Sequence, residues 1–463
     1  MSSPAGSTPH VEVERKFDVD DAAAPPCFDG ILAAAAPVSQ ALDAVYFDTA
    51  ARDLAAARIT LRRRTGGADA GWHLKLPAGP GVRTEHRMPL GGDTVPAELR
   101  DLVLALVRDR PLSPVARIAT ARDVTLLSGA DGVVRAEFCD DRVSAGDQRW
   151  REWEIELVAD EPDLLERLGD RLRAAGAAPA AHGSKLARAL GAAVPAGPVH
   201  HDRAHRAVAQ LVDELLVWDR AVRVDADDAV HQMRVSIRKI RSLARGAAVA
   251  DELRWLAGLL GVARDAEVLA ERYRAALDRL PAQLVRGPVA HRLVAGAAAR
   301  YQAGRAEALT AMRSKRYFRL LDGLDVLVAG PPATGAGPDR VDAAYRRVRK
   351  AARTAARSGH DADLHRIRKA AKRLRYIAAA TEAPLIAERA KAIQSLLGDH
   401  QDSVVSRAHL LAEADAAHAA GADTLSYGLL YQQEADLAGR CRAQLDDALA
   451  RLAESMADGR CGG

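Results

Sequence analysis

Val11-Glu12-Val13-Glu14-Arg15-Lys16-Phe17 reads as a strand with two unlike faces. Successive side chains of a strand point to opposite sides. Glu12, Glu14 and Lys16 therefore share one face, and Val11, Val13 and Phe17 the other. Two adjacent carboxylates repel each other and call for a cation opposite. A hard divalent metal meets that need, because it takes one or two carboxylates and fills its shell with water and phosphate oxygens. The wet face of an ordinary antiparallel sheet would carry the same letters, so the rest of the chain must decide.

Working outward, seven more extended segments follow before residue 160: Gln40–Phe47, Ile59–Thr65, Gly71–Leu76, Val82–Met88, Arg117–Leu127, Val133–Asp140 and Trp150–Val158. Turn chemistry separates them, as in Thr65-Gly66-Gly67-Ala68-Asp69. Helical patterns are expected at Gly30–Ala36, Pro96–Val107, Pro162–Ala175 and Ser184–Leu190. Eight antiparallel strands predict a closed or nearly closed barrel, within an α+β protein. Charge alternates along these strands. Arg62 and Arg64 share a face, as do His73 and Lys75, then Arg83, Glu85 and Arg87. Glu152, Glu154 and Glu156 oppose Trp153, Ile155 and Leu157 on the last strand. If the sheet closes, these faces line a tunnel that mixes Arg and Lys with Glu.

A linear phosphate chain suits such a tunnel. It needs Arg and Lys along its length, and carboxylates beside it make sense where metal ions bridge them to phosphate oxygens. Phosphoryl transfer needs positioning and charge neutralisation rather than a covalent nucleophile. No Ser-His-Asp set, GxSxG elbow, Walker loop or HExxH competes. Glu12-x-Glu14-x-Lys16 resembles the ExExK signature of the CYTH superfamily, the triphosphate tunnel metalloenzymes. Further similar segments follow in order, among them Tyr46-Phe47-Asp48-Thr49, Leu61-Arg62-Arg63-Arg64, Trp72-His73-Leu74-Lys75, Arg83-Thr84-Glu85, Glu154-Ile155-Glu156-Leu157 and Ser184-Lys185.

The resemblance implies that Lys16, Arg62, Arg64, Lys75, Arg83 and Lys185 hold a triphosphate, with Arg117 and Arg122 as looser matches and Glu85 as a tunnel residue. It implies Mg2+ or Mn2+ on Glu12, Glu14, Glu154 and Glu156. An aspartate before the last strand completes that set, either Asp140 or Asp141; alternation from Glu137 favours Asp141. Glu12, Glu14, Lys16 and Lys75 are the candidate catalytic residues. His73 is expected at the rim as a packing residue, and Asp48-Thr49 as a turn.

Gly191 to Pro198 is small and proline-punctuated, which suits a linker at 193–199. The expected organisation is a disordered 1–9, a tunnel domain at 10–192 and a helical domain at 200–460. Beyond the linker the hydrophobic period is helical, with breaks at Pro281, Gly287-Pro288 and Gly330–Pro338. His231, Arg234, Arg238 and Arg241 recur with identical spacing as His365, Arg368, Lys372 and Arg375. Each quartet falls within a helical stripe about 80° wide. A Leu-Leu-Gly segment follows each stripe, Leu259-Leu260-Gly261 and Leu396-Leu397-Gly398, with Asp265 and Asp402 four residues further on. The repeat predicts two duplicated helical bundles. Neither stripe contains an acid, although like charges four residues apart weaken a helix, so an anionic partner is implied. The histidines either meet phosphate or bond to the aspartate after each Leu-Leu-Gly.

These segments resemble the CHAD domain, often found directly after CYTH. That resemblance implies an all-helical duplicated fold that binds inorganic polyphosphate through the two quartets, with Lys239, Lys369 and Arg373 at the edge. The leading function is metal-dependent hydrolysis of inorganic triphosphate, with the helical half binding polyphosphate. The alternatives are a tunnel enzyme for an organic triphosphate (thiamine triphosphatase, adenylyl cyclase) and a polyphosphate-binding protein with an inactive tunnel. Trp72 and Trp150 are the main residues that could stack on an organic group. Nucleic acid is disfavoured as a partner, because stacking aromatics near the stripes are sparse.

Composition agrees. At 463 residues two cores are expected, and a net charge of only +4 makes the clustering of cations more telling than their sum. Cys27, Cys139, Cys441 and Cys461 are scattered without a metal or disulfide pattern. With neither a signal-peptide core nor an apolar run of membrane length, no membrane partner is expected. The expected location is the cytoplasm, polyphosphate granules included. Nothing in the sequence specifies an oligomeric state.

Overall fold

The computed structural model describes residues 9–79, 81–158, 161–191, 203–243, 248–330, 339–380 and 383–461. The expected linker at 193–199, most of the expected N-terminal disorder and most of the Gly330–Pro338 break lie outside them. Two compact units are present, one built on the N-terminal barrel with residues 219–224 and 313–321, the other on the remaining helices.

The barrel strands are β1 (Pro9–Val19), β2 (Ala33–Ala34), β3 (Val38–Asp48), β4 (Thr60–Thr65), β5 (Gly71–Gly79), β6 (Val82–Met88), β7 (Ser113–Ser128), β8 (Val134–Ala145), β9 (Gln148–Leu157) and β10 (Ala178–Pro179). The eight long strands run around the barrel as β1-β6-β5-β4-β3-β7-β8-β9, and β9 pairs again with β1. β1 is therefore the closing strand, with Glu12 opposite Arg83 on β6 and Glu14 opposite Glu156 on β9. The β4–β5 turn needs glycine at 66, where φ is +81° and a Cβ would lie 1.9 Å from the Ala41 carbonyl oxygen.

The helix expected at Gly30–Ala36 is not formed. Pro37 cuts the segment short, and its backbone pairs instead with the edge of β7, where Ala35 N–H donates to Leu126 O. Tertiary pairing overrides alanine's helical preference here. The short α1 (Asp53–Ala56) was not expected, and Pro96–Val107 divides into α2 (Ala97–Leu102) and α3 (Leu104–Val107). Asp48 makes the turn before α1, its carboxylate accepting the N–H groups of Thr49, Leu54 and Ala55.

The outer face of β9 explains its alternation. Trp153, Ile155 and Leu157 pack with Phe17 and Phe138 under Leu164, Leu165, Leu168 and Leu172 of α4 (Pro162–Ala174). α5 (Lys185–Leu190) starts at Ser184, whose hydroxyl accepts the Ala187 N–H. Its Leu186 packs against Ala44, Tyr46, Ile118 and Trp150, which fixes Lys185 beside the barrel interior.

The second unit is helical throughout, as expected: α6 (Arg203–Arg223), α7 (Ala229–Leu243), α8 (Val249–Asp278), α9 (Gly296–Met312), α10 (Lys315–Ala329), α11 (Asp339–Ser358), α12 (Asp361–Ala380), α13 (Pro384–Ala419) and α14 (Leu425–Cys461). One apolar cluster joins α11 and α12 to α13 and α14, and another joins α8 to the same two long helices. Among the described residues no helix is long and apolar enough to cross a membrane.

Candidate functional site

The barrel encloses a cavity of about 640 Å3. Glu12, Glu14, Lys16, Arg62, Arg64, Lys75, Arg83, Glu85, Arg122, Glu154, Glu156 and Lys185 all line it. Strand parity places those on strands, each an even number of residues from its inward neighbours on the same strand, and α5 brings in Lys185.

At one level the charges are fully paired. Lys185 Nζ lies 2.7 Å from oxygens of Asp141, Glu152 and Glu154. Arg122 forks onto both oxygens of Asp141, at 2.7 and 2.6 Å, and reaches Glu154 at 2.6 Å. Lys16 bridges Glu14 and Glu154. Burial alone would push these carboxyls up, but the surrounding cations outweigh it. Lys16 and Lys75 hold Glu14 down at about 2, and Lys16, Lys185 and Arg122 hold Glu154 well below its usual range. Asp141 is fully buried on this inner side. Asp140 faces outward and pairs with Arg151, so β8 runs through without a bulge here.

The next level leaves one acid without an ion-pair partner among the described residues. Lys75 pairs with Glu12 at 2.5 Å and approaches Glu85 at 3.7 Å. Arg87 reaches Glu12 and Glu85, and Arg83 Nε lies 3.7 Å from Glu14. Glu156 forms no ion pair among the described residues, and burial together with Glu12 and Glu14 lifts its carboxyl to about 7 against the pull of Lys75. Burial raises Glu12 as well. A divalent cation fits this pocket of under-neutralised acids. The Asp141–Glu152–Glu154 group has ligand oxygens within 4.8 Å of one another, but the Lys185 ammonium already fills its centre.

On the opposite wall, Arg62 donates to Tyr46 OH at 3.3 Å, and its Nε is buried without a partner, as is that of Arg64. Unpaired buried donors of this kind suit an incoming anion.

Arg117 is a correction. Ile118, Thr120, Arg122 and Val124 line the cavity, so the odd-numbered Arg117 points out, 74% exposed and paired with Asp43. His73 is buried rather than at the rim. Its Nδ1 lies 2.9 Å from Glu85 Oε1 and its Nε2 2.9 Å from Asp69 O. Burial pushes the His73 imidazole down to about 4 against the pull of Glu85. Trp72 packs on Phe47 and donates to Leu90 O, and Trp150 donates to Glu152; neither lines the cavity. Glu152 and Tyr46 are site residues that sequence reasoning did not assign. Glu152 was legible as a member of the Glu152-x-Glu154-x-Glu156 face, but Tyr46 gave no chemical signal.

In the helical unit the stripes occupy α7 and α12. His231, Arg234, Arg238, Arg241, His365, Arg368, Lys372 and Arg375 are half-buried, whereas Lys239, Lys369 and Arg373 are exposed beside them. The two stripes converge. Burial first, then Arg238, Arg368, Arg234 and Arg375 together, push Lys372 down to about 8. Among the described residues Arg234, Arg238, Arg368 and Lys372 form no ion pair with an acid, while the exposed Lys239 faces Glu214 at 3.5 Å. His365 bonds to Gln401 rather than to Asp402, which is one position further along α13.

A closed antiparallel barrel lined with buried Arg, Lys and paired Glu defines a charged-tunnel architecture. The CYTH domain profile matches residues 10–190 and the CHAD domain profile residues 206–411, so the chain belongs to the CYTH–CHAD family. Two proteins of Mycobacterium tuberculosis, from strains CDC 1551 and H37Rv and both described as uncharacterized, are 56% identical to it over 97% of this chain and 98% of theirs. Similar solved structures include the CHAD domain from the plant Ricinus communis (25% identity, 54% of this chain and 90% of that one, TM-score 0.39). PptA from Streptomyces chartreusis is another (22% identity, 53% and 97%, TM-score 0.44).

Proposed function

We propose that the barrel hydrolyses inorganic triphosphate to diphosphate and phosphate with a divalent metal, and that the helical unit binds inorganic polyphosphate. The observation that carries the first part is the asymmetry of the cavity. Unpaired guanidinium nitrogens of Arg62 and Arg64 lie on one wall, and the under-neutralised acids Glu12 and Glu156 on the other.

Glu12, Glu14 and Glu156, with Glu154 alongside, would hold Mg2+ or Mn2+, which when bound supplies charge neutralisation and an activated water. Arg62, Arg64, Arg122 and Arg83 grip phosphate oxygens and hold the chain in line. Lys75 and Lys16, each braced by carboxylates, offset charge on the bridging oxygen as its bond to the terminal phosphorus breaks. A water oxygen bonds to that phosphorus as the bridging P–O bond breaks, the electron pair of that bond leaves with diphosphate, and the water's proton passes to solvent. Trp72 and Trp150 turn away from the cavity, and Tyr46 is the aromatic among the described lining residues, which favours an inorganic chain over thiamine or adenosine triphosphate.

The unpaired cationic cluster on α7 and α12 supports the second part. A phosphate chain supplies the counter-charge that the protein withholds there.

Phosphate release with Mg2+ or Mn2+ from triphosphate, ATP, thiamine triphosphate and long polyphosphate, with a Glu12→Ala/Glu14→Ala control, tests the reading. Release from triphosphate that the double variant abolishes is expected. Preference for thiamine triphosphate or ATP would move the assignment to an organic substrate, and no release from any of the four would overturn the enzyme.

A further inference from the structure

The repeated Leu-Leu-Gly segment has no role in the reading above. Its glycines, Gly261 in α8 and Gly398 in α13, are both buried and neither has a positive φ. Backbone conformation therefore does not require them, and glycine weakens a helix interior relative to alanine. Space is what they provide. A Cβ on Gly261 would lie 2.5 Å from Arg234 Nη1 and 3.5 Å from its Cζ. A Cβ on Gly398 would lie 3.6 Å from both Nε and Nη2 of Arg368. In each repeat, the arginine three residues after the stripe histidine rests against the bare backbone of the following long helix. Arg234 Nη1 is also buried with no hydrogen-bond partner, an arrangement that is costly unless a ligand completes it.

We propose that Gly261 is a positioning residue for the anion site: it opens the floor on which Arg234 lies, and so holds that guanidinium beside Lys372, whereas Gly398 leaves Arg368 room that an alanine would also leave. The inference rests on reading the helical unit as a polyphosphate binder. The two floors differ. At Gly398 an alanine methyl makes ordinary contact, whereas at Gly261 it overlaps the guanidinium. The overlap falls on the flexible tip of Arg234, so the helix stays and the arginine moves.

The test uses the full chain, a long inorganic polyphosphate as probe, and chelator to suppress hydrolysis. Gly261→Ala should weaken binding about tenfold and lower the slope of log affinity against log salt by about one contact, with an unchanged or higher melting temperature. Gly398→Ala should bind within about twofold of wild type. Arg234→Ala should weaken binding as much as Gly261→Ala, and the double variant no further, since both remove the same contact. Wild-type affinity and salt slope in Gly261→Ala would overturn the inference, as would additive losses in the double variant, which mark a merely structural glycine. Failure of the wild type to bind would instead overturn the polyphosphate reading on which the inference rests.

Discussion

Lys185 Nζ, carried on α5, lies 2.7 Å from Asp141 Oδ2 on β8. Both side chains are almost wholly buried, and Glu152 and Glu154 share the same ammonium. This lysine occupies the place a metal would take among three carboxylates. Removing one partner from a buried ionic cluster costs about 3–5 kcal/mol. Lys185→Met should therefore lower thermal stability by that order, and Mn2+ should restore part of it by filling the vacated site. A melting temperature insensitive to both changes would show that the cluster does not depend on Lys185.

Arg122 and Arg117 give a contrast on a single strand. Arg122→Ala strips Asp141 and Glu154 of their fork and removes a chain-gripping cation, so triphosphate hydrolysis should fall about a hundredfold or more. Arg117→Ala breaks only an exposed, solvent-screened pair with Asp43, and should leave kcat/KM within about threefold. Equal losses in the two variants would contradict the observed parity of β7.

Glu156 sets a pH dependence. Its carboxyl stands at about 7 in the folded, metal-free barrel, against an ordinary value of 4.5. Between those values the folded chain holds a proton that the unfolded chain has lost. The stability this group adds is therefore complete below about 4.5 and lost as pH rises to 7. Metal binding must release the same proton, so Mg2+ or Mn2+ affinity should fall about tenfold per pH unit below 7. Titration calorimetry in buffers of different ionisation enthalpy would count the proton, and Glu156→Gln should remove this release while weakening the metal.

Lys372 behaves in the opposite sense. Its ammonium is pushed down to about 8 from 10.5 by burial and by Arg238, Arg368, Arg234 and Arg375. Between those values the unfolded chain holds more protons, so this group's destabilising effect is full below pH 8 and fades as pH rises towards 10.5. Lys372→Met should then stabilise the helical unit at pH 7 by roughly 1–2 kcal/mol, after allowance for solvent screening, while weakening polyphosphate binding. A variant both less stable and equally competent in binding would show that Lys372 serves packing alone.

Much of the barrel was legible because its faces alternate so sharply: Glu152-Trp153-Glu154-Ile155-Glu156-Leu157 leaves little doubt about which side meets α4. The error at Arg117 was also legible. It lies five residues from Arg122, and an odd separation puts two strand residues on opposite faces. Gly30–Ala36 failed for another reason, since local alanine content says nothing about an unpaired edge of β7 waiting for a partner. The convergence of the α7 and α12 stripes was beyond reach as well, because spacing fixes the face of one helix and not the face of its neighbour. The role of Gly261 stayed hidden for the same reason.

The double pairing of β1, with β6 on one side and β9 on the other, bears on how the protein is made. The strand that carries Glu12 and Glu14 meets β6 through Arg83, but its β9 partners at residues 151–157 and its β10 partners, Ala178 and Pro179, lie far along the chain. Closure is a long-range event that short hairpins cannot substitute for. The charged interior is thus complete only when β1 and β9 meet, so it is assembled at the same moment the barrel shuts.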